Sequence, residues 1–136
     1  MGLFNKLFGA NSDSTTGSDQ PKQDNETPWI NLNTVEQLDA IVEKSSTKPQ
    51  FIFKHSTRCG ISRMVIGQFK GGYQFSENQA DLYYLDLLAH RPVSNAIAER
   101  FQVMHQSPQL LVVKNGVVVA HESHSGINAM DLGKFV

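Results

Sequence analysis

Strand-like and helix-like segments alternate along the chain from Pro28 to Val136, and no other feature restricts its fold as strongly. Some segments carry apolar residues at helical spacing, whereas others are short β-branched and aromatic runs bounded by turn residues. The predicted order is β-α-β-α-β-α-β-β-α. Alternation of this kind places helices on both faces of a mixed sheet, so the predicted class is α/β with a central sheet of four to five strands.

Turn and capping residues set the boundaries of these segments. Asn33 or Thr34 can cap the first helix, Gly71-Gly72 ends the second, and Asn115-Gly116 favours a hairpin because positive φ is needed at both turn positions. Helices are predicted over about 34–44, 59–70, 91–101 and 127–136. Strands are predicted over 50–55, 81–88, 109–113 and 117–120, after a domain start near Pro28-Trp29-Ile30. The apolar stripe of the first helix comprises Val35, Leu38, Ile41 and Val42.

The 136 residues suffice for one compact domain preceded by two short segments. Residues 1–9 form an apolar N-terminal segment that is too short to span a bilayer, so no transmembrane segment is expected. Residues 10–27 are rich in small polar residues and are predicted to be a disordered linker before a domain over 28–136. The net charge of −1 gives no electrostatic reason to expect a nucleic acid as partner.

Cys59 is the only cysteine, so the chain cannot form an internal disulfide and a reducing, cytoplasmic location is expected. It lies between a predicted strand and a predicted helix, where free backbone N–H groups and the helix dipole favour a thiolate. No acidic residue occurs between Glu43 and Glu77. The same window contains half of the 12 Lys and Arg residues, namely Lys44, Lys48, Lys54, Arg58, Arg63 and Lys70. We therefore interpret Cys59 as a nucleophile rather than a buried small apolar residue.

Ser107-Pro108 directly precedes a predicted buried strand. An X-Pro bond adopts the cis form at modest cost, and a turn proline at this place is predicted to lie beside the helix that begins at Cys59. We expect a cis bond before Pro108, van der Waals contact between Pro108 and Cys59, and a groove in which the Ser107 backbone pairs with a thiol ligand.

The motif Cys59-Gly60-Ile61-Ser62 after a strand, with Ser107-Pro108 some fifty positions later, resembles the thioredoxin-like superfamily with Ser62 in place of the resolving cysteine. More closely, four segments resemble the monothiol bacilliredoxin (YtxJ-like) family: FKHSTRCGIS (53–62), RPVSNAIAE (91–99), HQSPQ (105–109) and SH (123–124). The resemblance implies a thioredoxin-like fold over about 29–136. It also implies that Cys59 attacks a mixed disulfide between a protein and bacillithiol and takes the thiol onto itself.

The resemblance and the basic window together designate the candidate site. Cys59 is the expected catalytic residue, and the expected thiol-binding or activating residues are Lys54, His55, Thr57, Arg58, Gly60, Ile61, Ser62, Ser107 and Pro108. We expect Ser62 to donate a hydrogen bond to the thiolate without resolving a disulfide. Gly60 stands where family members commonly have proline. No tightly bound cofactor or metal is expected. The expected co-substrate is bacillithiol or another low-molecular-weight thiol, and the expected partners are S-thiolated proteins. The protein is expected to be a monomer.

Three alternatives remain open at this stage. The Cys59 motif also resembles the Cys-Gly-Phe-Ser motif of monothiol glutaredoxins that carry a [2Fe-2S] cluster, although Ser123-His124-Ser125-Gly126-Ile127 replaces their Gly-Gly-x-Asp segment. A non-catalytic binding module with the same fold is the second. The third is a zinc site built from His55, Cys59, His121, Glu122 and His124. The simpler interpretation of His121 and His124 is that they are polar residues facing solvent at the end of a predicted strand.

Overall fold

The computed structural model describes residues 27–136. The predictions for residues 1–9 and for a linker over 10–27 therefore lie outside the described residues, except at Thr27, whose carbonyl oxygen accepts a hydrogen bond from the Trp29 N–H at 2.9 Å. No helix in this part of the chain is long and apolar enough to cross a membrane.

A five-stranded mixed sheet forms the centre of the domain, as predicted. Its strands are β1 (Trp29–Asn31), β2 (Gln50–His55), β3 (Asp81–Asp86), β4 (Gln109–Lys114) and β5 (Val117–Ser123). They are arranged in the order β1-β3-β2-β4-β5. β3 runs parallel to both β1 and β2, whereas β4 runs antiparallel to β2 and β5.

Helices cover both faces of the sheet, which confirms the predicted α/β class. They are α1 (Gln37–Lys44), α2 (Gly60–Gly72) and α3 (Arg91–Phe101). Because side chains alternate along a strand, Ile52 of β2 packs in the core with α1 and α3, whereas Phe51 and Phe53 pack in the core with α2. The central strand β2 is thus buried on both faces.

The start of α1 differs from the prediction. The helix begins at Gln37, and among the described residues no side chain caps its first turn with a hydrogen bond. The Gln37 Oε1 instead accepts hydrogen bonds from the N–H groups of Asn33 (2.7 Å) and Thr34 (3.0 Å), so neither residue is the predicted side-chain cap. Val35 precedes the helix and is 40% exposed, so its assignment to the apolar stripe was wrong.

The C-terminal helix predicted over 127–136 was also wrong. Two 3₁₀ segments, His124–Ala129 and Leu132–Phe135, occupy this region after a β5 that is three residues longer than predicted. Ile127 and Leu132 both pack in the α2-side core. Residues five apart lie about 140° apart around an α-helix, so one continuous helix would direct only one of them into that core.

Candidate active site

Cys59 lies immediately before α2, at the end of the loop that follows β2. Its backbone is extended (φ −101°, ψ 122°), its carbonyl oxygen accepts the Arg63 N–H at 3.0 Å, and its own N–H donates to the Ser56 carbonyl at 3.2 Å. The side chain is partly buried. The first turn of this 13-residue helix contains no acidic residue. The position of Cys59 beside the free backbone N–H groups of the helix start agrees with the prediction, whereas activation of its thiol stays a prediction.

Ser62 holds the loop instead of contacting the sulfur. Its side chain is fully buried, and Ser62 Oγ lies 2.8 Å from His55 Nδ1 and accepts the Ser56 N–H at 3.0 Å. Within residues 27–136 no hydrogen bond joins Ser62 to Cys59, so the predicted bond to the thiolate is not formed. The hydroxyl ties the end of β2 and the following loop to the first turn of α2, which positions Cys59.

His55 is a buried partner in this arrangement. Burial lowers its pKa from the usual value; Asp86 opposes that shift, and the positive charges of Lys70 and Arg63 add to it. Its ring lies 5.7 Å from the Tyr84 ring. The imidazole is therefore neutral at neutral pH, and it can accept the Ser62 hydroxyl proton through Nδ1 or donate to the Ser62 oxygen, depending on its tautomer.

Lys54, although adjacent to His55, faces the opposite side of the sheet. It follows Ile52 by two residues and so lies on the α1 and α3 face, where its side chain has no exposed surface. Burial lowers the pKa of Lys54 to about 8. The sequence placed Lys54 and His55 in one thiol-binding set, whereas the structure separates them by the thickness of the sheet.

The Ser107-Pro108 peptide bond is cis, as predicted. Gln109 pairs with Lys54 across β4 and β2, so the turn lies at the sheet edge where β2 leads into the Cys59 loop. The Pro108 carbonyl oxygen accepts the His124 N–H at 3.0 Å, which fixes the turn to the end of β5. Direct contact between Pro108 and Cys59 stays a prediction.

The remaining sequence-predicted residues form an exposed surface around Cys59. Thr57, Arg58, Gly60 and Ile61 are all exposed, and Ile61 has 53% of its surface accessible. Met64, on the same helix, is 58% exposed and was not among the predicted residues.

The residues of the zinc alternative are not assembled. Among residues 27–136, no group of three or more His, Cys, Asp and Glu side chains is arranged to hold a metal ion. His121 and His124 are exposed near the end of β5, whereas His55 is buried against α2.

Comparison with known proteins adds a family and a fold to this geometry. The family model described as "Monothiol bacilliredoxin BrxC" matches residues 30–132. A solved structure described, provisionally, as an oxidoreductase with a thioredoxin fold is 32% identical, with a TM-score of 0.67 over 79% of this chain and 92% of that chain.

Solved thioredoxins of lower identity share the fold. The Malassezia sympodialis protein is 15% identical over 76% of this chain and 87% of its own, and the Schistosoma mansoni protein is 18% identical over 79% and 95%, both with a TM-score of 0.60.

Proposed function

Because the chain belongs to the monothiol bacilliredoxin family, we propose that it removes bacillithiol, or a similar low-molecular-weight thiol, from protein mixed disulfides through Cys59. The thioredoxin fold and the family establish a thiol redox role. We further propose that the thiol is bacillithiol or a close analogue and that the partners are S-thiolated proteins. The proposal also includes action as a monomer in the cytoplasm.

The chemistry is two successive thiol–disulfide exchanges. In the first, the Cys59 thiolate attacks the low-molecular-weight sulfur of the mixed disulfide, forms a new S–S bond with it, and releases the protein thiolate, which takes a proton from water. In the second, a free thiolate of the same kind attacks that low-molecular-weight sulfur on Cys59. This step releases the Cys59 thiolate and gives the symmetric disulfide of the small thiol.

One observation carries the monothiol cycle. The position three residues after Cys59 holds a hydroxyl, and that hydroxyl is buried and bonded to His55 and Ser56. Because Cys59 is the chain's only thiol, no internal group can break a disulfide on Cys59. An external thiol must therefore complete each cycle, and a small thiol reaches the partly buried sulfur more easily than a protein does.

The test is release of thiol from an S-thiolated model protein that carries one mixed disulfide. With free bacillithiol as the second thiol, we expect wild type to release the thiol of the model protein, Cys59→Ser to release none above the uncatalysed rate, and Ser125→Ala, an exposed hydroxyl near the end of β5, to match wild type. Equal release by wild type and Cys59→Ser would overturn the proposal. Absorbance and iron content of protein purified under argon would reveal the alternative [2Fe-2S] role, and unreactive Cys59 would indicate a binding module.

A further inference from the structure

Two buried side-chain atoms have no hydrogen-bond partner within residues 27–136: Lys54 Nζ and Ser107 Oγ. Both belong to one edge of the sheet, because Lys54 pairs with Gln109 and Ser107 lies two residues before Gln109. An unpaired ammonium in a protein interior is costly, and nearly all buried polar groups have partners. A positive charge retained there without a partner therefore indicates a group that arrives from outside.

The surroundings of Lys54 are basic and contain hydroxyl groups. From α3, the buried Ser94 places its Oγ 3.4 Å from His105 Nδ1. Burial first, and then the positive charges of Lys54 and Arg91, lower the pKa of His105. Among residues 27–136, no acidic group shifts the pKa of Lys54 or of His105. Three basic side chains, from β2, α3 and the following loop, are thus close enough for the charges of Lys54 and Arg91 to act on His105, and Lys54 lies beside the strand that follows the Ser107-Pro108 turn.

We infer that Lys54, Arg91, His105 and Ser107 form a subsite for a carboxylate of the small thiol joined to Cys59, on the α3 side of the Ser107-Pro108 turn. The inference rests on the proposed function. A carboxylate only accepts hydrogen bonds, which suits the ammonium, guanidinium and hydroxyl donors present. Arg91 and His105 are exposed and meet the ligand first, whereas Lys54 is fully buried, so its charge is weakly screened by solvent.

The subsite differs from the exposed basic surface around Arg58. That surface attracts anions through solvent, so salt weakens its effect. Lys54 is fully buried, so its contribution persists at high salt. The ligand class is a thiol that carries at least one carboxylate, and neutral thiols lie outside it.

The experiment compares two disulfides of one skeleton: oxidised glutathione and its tetraethyl ester, which lacks the carboxylates. For wild type, Lys54→Met and the distant control Lys44→Met, the second-order rate constant for exchange of Cys59 with each disulfide is measured at high salt. Loss of one charged contact is worth about tenfold, so Lys54→Met should lower the acid-to-ester ratio of these rate constants about tenfold. Lys44→Met should leave the ratio unchanged.

The possible failures are distinguishable. No exchange of either disulfide by wild type, together with none of oxidised bacillithiol in a parallel reaction, would contradict the proposed function. Exchange of both disulfides with an unchanged ratio in Lys54→Met would overturn the subsite alone. Replacing a buried cation by an apolar side chain of similar length is often neutral or stabilising, so this variant is expected to fold. Arg91→Gln with His105→Gln, both at exposed positions, gives a second measure of the same ratio, and an unchanged ratio there would also overturn the subsite.

Discussion

Ser62 lies three residues after Cys59, yet its two hydrogen bonds join it to His55 at the end of β2 and to Ser56 in the following loop. Ser62→Ala removes the contacts with His55 Nδ1 and the Ser56 N–H and leaves one buried and one partly buried group unpaired. We expect the free energy of unfolding to fall by about 1–3 kcal/mol. Because no bond to the sulfur is lost, exchange by the folded variant should be reduced only a few-fold.

Urea unfolding and exchange rates on the same samples check this expectation, with Ser125→Ala as the control for loss of an exposed hydroxyl. A Ser62→Ala protein as stable as wild type but as inactive as Cys59→Ser would assign the hydroxyl a direct role in the chemistry.

Arg58 is the exposed charge next to Cys59 in the chain. Arg58→Glu places a negative charge there, which disfavours the thiolate and repels anionic disulfides. Alkylation at neutral pH should slow by roughly two- to fivefold at low salt, and exchange with oxidised glutathione should slow more than exchange with its ester. Because the charge is exposed, both effects should shrink in high salt. Identical salt dependence in wild type and variant would show that this surface does not act on Cys59.

Among the helices and strands, the start of α2 is a place where one substitution, at Gly60, should raise the free energy of unfolding. Gly60 is the first residue of the helix, a Cβ there would meet nothing within 4 Å, and Cys59 before it is extended, as a residue before proline must be. Gly60→Pro should therefore raise the free energy of unfolding by about 0.5–1 kcal/mol, chiefly by restricting the unfolded chain.

Gly116 provides the matched control for this change. Its φ of +82° is strained for any side chain, so Gly116→Ala should destabilise the protein by about 1 kcal/mol or more in the same urea experiment. A loss of stability in Gly60→Pro would show that the helix start depends on a feature that only glycine provides.

The elements differ in how far the sequence determines them. α2, α3 and the β4–β5 hairpin were predicted because their apolar spacing and turn residues act locally. The C-terminal region was predicted wrongly, because Gly133 weakens a helix and the core contacts of Ile127 and Leu132 come from distant elements. The position of Cys59 at the start of α2 and the cis bond before Pro108 were predicted from local sequence and are confirmed. The sequence alone did not predict that Lys54 and His55 lie on opposite faces of the sheet, or that Ser62 bonds to His55 and Ser56. Both depend on how β2 packs between its neighbouring strands and α2, which no single segment of sequence specifies.

For the whole molecule, three shielded side chains link stability to pH. Burial lowers the pKa of Lys54 to about 8, against about 10.4 in the unfolded chain. Between these values the unfolded chain binds a proton that the folded chain does not, so the free energy of unfolding should rise from pH 8 to about 10, by up to roughly 3 kcal/mol. Burial, assisted by Asp81, raises the pKa of Tyr73 and Tyr83 to about 12, so stability should fall again above pH 10.

Urea unfolding between pH 7.5 and 11 measures this profile. Lys54→Met should abolish the rise and keep the fall, whereas Lys44→Met should show both. The same rise in Lys54→Met as in wild type would show that the Lys54 ammonium is solvated in the folded protein, which would also weaken the carboxylate subsite.

The most direct test of the exchange cycle is intact-mass spectrometry of the protein mixed with a substrate protein carrying one bacillithiol mixed disulfide. We predict that the mass of one bacillithiol appears on Cys59 as it disappears from the substrate, and that added free bacillithiol then removes it. Cys59→Ser should acquire no added mass. Loss of bacillithiol from the substrate without its appearance on Cys59, or no transfer at all under conditions where Cys59 is alkylated readily, would contradict the exchange mechanism.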